Sequence, residues 1–75
     1  MEILNDSINK YASYLYSGEI IPINKEESAK YYKITASKGD LDGMIKYGQM
    51  LYQGDGIDIN KEEAIKYLKT AIDTL

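Results

Sequence analysis

Asp58, Asn60 and Glu62 stand at alternate positions, the spacing with which a calcium loop presents its first oxygen ligands. The site Gly of such a loop falls on Glu63, and the closing carboxylate falls on Lys69. The better reading is therefore a helix N-cap followed by a charged first turn. Lys30, Lys33, Lys66 and Lys69 form a basic band that could hold an anion. Glu26 and Glu62 stand four residues before Lys30 and Lys66, so i,i+4 pairing on a solvated face accounts for the band. The 75 residues contain no His, Cys, Arg, Trp or Phe. That removes the ordinary zinc site, the Cys–His and Ser–His pairs and the bidentate guanidinium clamp. No Gly-rich phosphate loop or nucleophile elbow is present. The expectation is a protein that is not an enzyme, with no metal and no cofactor.

Eight tyrosines remain. Tyr31, Tyr47 and Tyr67 fall on apolar stripes at helical spacing and are expected in the core, with the hydroxyl at its edge. Tyr16 and Tyr52 each follow a core Leu by one residue, about 100° around a helix. Partial burial with an exposed ring edge is expected there, and such a ring is an economical binding anchor.

The formal charge is −3, and an acidic chain without Arg makes a poor nucleic-acid surface. No apolar run approaches the roughly 20 residues of a membrane span. Met1-Glu2-Ile3-Leu4-Asn5-Asp6 has neither the basic region nor the apolar core of a signal peptide, so a cytoplasmic location is expected.

What must position these residues emerges from self-comparison. Shifted by 36 residues, the chain gives 13 identities in the 26 positions from 11 to 36, without a gap. Tyr11, Leu15, Tyr16 and Gly18 fall on Tyr47, Leu51, Tyr52 and Gly54. Ile23-Asn24-Lys25-Glu26-Glu27 falls on Ile59-Asn60-Lys61-Glu62-Glu63. The chain is a tandem pair, with repeat one over about 4–39 and repeat two over about 40–75, forming a single domain.

Each unit reads as two helices, and no segment alternates with period two. In unit two the first helix begins near Asp40-Leu41 and carries Leu41, Met44, Tyr47, Gly48 and Leu51 on one face. It stops at Gly54, as its counterpart stops at Gly18. Asn24 and Asn60 are expected to cap the second helices. Glu27 and Glu63 stand where a capping box would return a bond to the cap's own N–H. The second helix of unit two has the stripe Ala64, Tyr67, Leu68, Ala71 and Leu75. Ser28, Tyr31, Tyr32 and Thr35 form the more polar stripe of unit one. Gly39 ends that helix and Asp40 can cap the next.

Tyr47-Gly48-Gln49-Met50-Leu51, Gly54-Asp55-Gly56-Ile57, the set Ala64, Tyr67-Leu68 and Ala71, and the turn Ser37-Lys38-Gly39-Asp40 together resemble the Sel-one-like repeat family, relatives of the tetratricopeptide repeat. The likeness covers nearly the whole chain. Unit one departs from the pattern at Ala12, Ile20, Ser28 and Thr35, and unit two at Gly43, where the family prefers Ala. The resemblance implies an all-α solenoid: four antiparallel helices in two helix-turn-helix repeats, a tetratricopeptide-like right-handed superhelix. It implies a scaffold or adaptor that binds a protein or peptide on the concave face of the first helices. Transferred onto this chain, that face comprises Asp6, Asn9, Ser13, Tyr16 and Ser17 from unit one. Unit two supplies Asp42, Ile45, Gln49, Tyr52 and Gln53. The alternative is a structural or engineered fragment of a longer array that self-associates through exposed end helices, without a dedicated ligand, because two units are fewer than solenoids usually need.

Overall fold

The computed structural model describes residues 2–75, with side chains from Leu4 onward. Part of the N-terminal stretch read above for a leader, Met1 and the side chains of Glu2 and Ile3, lies outside the described residues. Four helices account for the fold: α1 (Glu2–Ser17), α2 (Lys25–Ser37), α3 (Leu41–Gln53) and α4 (Lys61–Thr74). Breaks fall where the glycines and caps place them, and the described residues contain no strand. Each helix packs on the next in sequence, so α2 is held between α1 and α3. The Cα envelope is 15 Å along its shortest axis, two helix layers deep. This is the all-α repeat architecture expected.

The helix ends are built twice in the same way. Gly54 and Gly18 stop α3 and α1 with φ of 70° and 72°, a left-handed conformation that a Cβ would strain. Asn24 Oδ1 accepts from the Glu27 amide and Asn60 Oδ1 from the Glu63 amide, both at 3.1 Å. Asp40 caps α3, accepting from the Gly43 amide at 2.9 Å. The expected reciprocal capping-box bond does not form. The backbone N–H groups of Asn24 and Asn60 donate instead to the carbonyls of Leu15 and Leu51, at 2.8 and 2.9 Å. The cap residue thus ties the loop back to the helix before it. Glu63 meets only the Asn60 side-chain amide, at 3.4 Å.

The core is made by small residues facing large ones. Ala12, Ala29, Ala36, Ala64 and Ala71 interleave with Leu15, Tyr32, Met44, Tyr47, Met50 and Leu51, all buried. Gly48 lies at a close crossing, where a Cβ would stand 2.9 Å from Leu68 Cγ and 3.3 Å from the Ala64 carbonyl. Tyr47 meets Tyr67 edge to face, and Tyr11 meets Tyr31 likewise, with centroids 5.2 Å apart in each pair. Two further expectations fail. Leu75 follows the last turn of α4 and is 86% exposed, so it does not extend the buried stripe. The Glu26–Lys30 and Glu62–Lys66 pairs do not close; the ion pair among the described residues is Lys25–Asp55, at 3.3 Å.

Candidate functional site

A groove runs between α1 and α3 and is floored by α2. Its first cavity, about 370 Å³, has Ser13, Tyr14, Tyr16 and Ser17 of α1 on one side. Lys46, Gln49, Met50 and Gln53 of α3 form the other side, Glu19 stands at the rim and Tyr32 of α2 forms the base. A second cavity, of about 380 Å³, is lined by Asp6, Asn9, Lys10 and Asp42 and shares Ser13, Tyr32 and Lys46 with the first. The shared residues join the two into one continuous groove. Helix spacing explains the walls: 13 and 17 lie one turn apart on α1, as 49 and 53 do on α3.

Of the residues expected on this face, Ser13, Tyr16, Ser17, Gln49 and Gln53 line the first cavity. Asp6, Asn9 and Asp42 line the second. Ile45 and Tyr52 line neither, although the Tyr52 ring is 46% exposed. Tyr52 repeats the place of Tyr16 beyond α3, where the described residues provide no further first helix to complete a groove.

Asn9 differs from the expectation of an open groove position. It is buried, and both ends of its amide are committed. Thr35 Oγ1 donates to Asn9 Oδ1 at 2.7 Å, and Asn9 Nδ2 donates to Asp40 Oδ2 at 2.7 Å. The same carboxylate caps α3 through the Gly43 amide. This chain of bonds links α1, α2 and α3 beneath the groove. Ser28, also buried, donates to the Ala12 carbonyl at 2.7 Å. Hydrogen bonding removes most of the penalty for burying these three polar side chains.

Tyr16 is held at the junction of the repeats. Its hydroxyl donates to Asp55 in the second loop, and the Lys25 ammonium lies 4.8 Å from its ring centroid while pairing with Asp55. The bond to Asp55 raises the Tyr16 phenol above its ordinary range, aided by burial. The same bond lowers the Asp55 carboxyl, with Lys25 assisting. Lys61 lies 5.3 Å over the Tyr52 ring in the same fashion. The Tyr–Lys identity across repeats therefore has a packing cause, a cation held over an aromatic face.

Six groove residues fall outside the sequence expectation: Lys10, Tyr14, Glu19, Tyr32, Lys46 and Met50. Met50 shares the α3 turn with Gln49 and Gln53, a spacing legible in hindsight. Tyr32 belongs to a second helix, and its aromatic character alone reads as core. Burial pushes the Tyr32 phenol up to about 12, with the Asp42 carboxylate and Tyr16 adding to the effect. Among the described residues, no helix is long and apolar enough to cross a membrane.

Neither a curated protein nor a solved structure matches the chain. The family model of the Sel1 repeat matches residues 5–40 and 41–73, two consecutive copies that include every residue of the groove. With the two helical hairpins, the paired glycine stops and the small-residue crossings, this match places the chain in the Sel1 repeat family.

Proposed function

We propose that this chain is a protein-interaction scaffold or adaptor segment, without catalytic activity, that takes a peptide or helix into the groove between α1 and α3. Sel1 repeats generally mediate protein–protein interaction, and the family is of a non-enzymatic scaffold type. The observation that carries the finer reading is the groove itself. Its base is aromatic, and its walls present exposed Gln49, Gln53 and Ser17 beside a partly exposed Tyr16. An apolar centre ringed by adaptable hydrogen-bonding groups is the usual composition of a peptide-binding surface. The unit-one residues Asp6, Asn9 and Ser13, and Asp42 of unit two, would extend the footprint, with Asn9 as part of the base. Ile45 and Tyr52 would contribute only to a partner that passes beyond α3. The test is peptide binding by the Tyr16→Ala and Gln53→Ala variants. Both should bind more weakly per folded molecule; Gln53→Ala should keep its melting temperature within a few degrees, and Tyr16→Ala, which also gives up the Asp55 bond, should melt lower. Unchanged affinity in both would overturn the reading.

A second reading, self-association through the end helices, has its own support. Ile65 and Ile72 of α4 are 54% and 68% exposed, yet they occupy the places of Ala29 and Ala36, which α3 covers on α2. Light scattering across a concentration series tests it, with Ile65→Lys/Ile72→Lys as the variant that should stay monomeric.

A further inference from the structure

Tyr32 is 4% exposed, and it borders both cavities. The hydrogen bonds around it join Tyr16 to Asp55, Thr35 to Asn9 and Asn9 to Asp40. None of those among the described residues takes the Tyr32 hydroxyl. The oxygen is not among the buried polar atoms left without a partner, so the ring is packed while the hydroxyl opens onto the groove, where a ligand atom can replace water. The repeat architecture does not require this hydroxyl. The equivalent position on α4 is Leu68, which packs against α3 at Gly48 with no polar atom. The ring serves the core, and the oxygen is free to meet what enters the groove.

We propose that the Tyr32 hydroxyl is the specificity-determining donor of the groove and that it takes a backbone carbonyl of an extended peptide, one of whose apolar side chains seats beside Tyr14, Tyr16 and Met50. This rests on the groove reading above and narrows it. The carbonyls within a helix are already paired along its axis, so a helical occupant has no free interior acceptor to offer. An extended segment has one at every residue. A carboxylate acceptor is disfavoured by the setting. Asp6, Asp42 and Glu19 line the groove against Lys10 and Lys46, leaving it net negative. A cavity of about 370 Å³ accommodates one large side chain with its adjoining backbone.

The probe is a displayed library of random dodecapeptides, panned against the full chain, with the selected peptides resynthesised for affinity and competition measurements. Tyr32→Phe removes one oxygen that bonds nothing in the fold, so its melting temperature should match the parent. Its affinity should fall about tenfold, the worth of one hydrogen bond to a donor that the bound peptide covers. Tyr32→Leu, which copies position 68, gives a second variant with the oxygen removed. Amide-to-ester scanning of the peptide should find one carbonyl whose weakening matters to the parent chain and not to Y32F. Equal affinity of parent and Y32F, while Tyr16→Ala and Gln53→Ala still weaken binding, overturns the role of Tyr32 and leaves the groove reading in place. Failure to select any peptide, or selected peptides indifferent to all of these variants, overturns both.

Discussion

The two repeats share a backbone plan and differ in what fills it. In repeat one Asn9, Ser28 and Thr35 are buried and joined to α1, α2 and Asp40 by hydrogen bonds. Their counterparts in repeat two are Ile45, Ala64 and Ala71, which need no partners. The same helix crossings are thus held by directed bonds in one unit and by close apolar contact in the other. Directed bonds fix register at the risk of a large penalty when one partner is lost. Apolar contact tolerates chemistry and punishes volume.

The largest expected effect lies on the apolar side of that contrast. Gly48→Leu pushes a side chain into Leu68 and the Ala64 carbonyl and should cost about 3 kcal/mol in a thermal melt. Gln49→Leu, one residue away and exposed, should stay within about 0.5 kcal/mol. Similar melting temperatures for the two would erase the distinction between crossing and groove. On the polar side, Thr35→Val keeps the shape but strands Asn9 Oδ1, at about 2 kcal/mol. The triple change Asn9→Ile, Ser28→Ala and Thr35→Ala rewrites repeat one's interior as repeat two's; it leaves no side chain of the network unpaired but opens a notch at Gly43, so by denaturant titration it should cost no more than Thr35→Val alone. A triple variant less stable than Thr35→Val alone would mean that the network does more than fill space.

The caps should not distinguish the repeats. Asn24→Ala and Asn60→Ala each remove one bond to an amide at 3.1 Å and should each cost about 1 kcal/mol. A large inequality would place the loops, not the caps, in control of the helix starts.

The smallest effect is in the pH profile of the junction. Asp55 is lowered in the fold, so its contribution is present above the ordinary carboxyl range near about 4 and is lost as pH falls through its folded value. Tyr16 is raised, so its contribution is present below about 10 and is lost as pH climbs through its folded value. Melting curves of the parent and Tyr16→Phe should therefore differ most at neutral pH and converge toward both extremes. A constant gap would show that the Tyr16 hydroxyl does not govern either titration.

Much of this was legible in the sequence because repeat identity averages over two copies. Asn24 with Asn60 and Gly18 with Gly54 mark the same boundaries twice, and the boundaries hold. Gly48 and Ala64 gave away the close crossing by their size. The burial of Asn9 was not legible, since a lone Asn on a first helix reads as exposed until α2 and Asp40 are brought to it. The Tyr16–Asp55 bond spans 39 residues and depends on how one repeat sits on the next, which no single helix period encodes. The capping box misled for a related reason: local spacing allowed the Glu–amide bond, but the preceding helix end supplied a nearer carbonyl.

The Thr35–Asn9–Asp40 chain also bears on how such repeats can be shuffled by duplication. A Cβ at Gly43 would run into Thr35 Oγ1 and lie 2.8 Å from the Ala36 amide nitrogen, so the hydroxyl of one unit fits a vacancy at the start of the next. Repeat one followed by repeat two satisfies this lock. The reverse order would bring Ser7, with its Cβ, against the α4 backbone beside Ile72, and a doubled repeat two would leave Ala71 facing an unfilled notch. The two units are therefore not interchangeable modules: their shared seam carries a direction. An array lengthened by copying repeat two keeps the fit only with Ala71→Thr in the leading copy, and one lengthened by copying repeat one only with Ser7→Gly in the trailing copy.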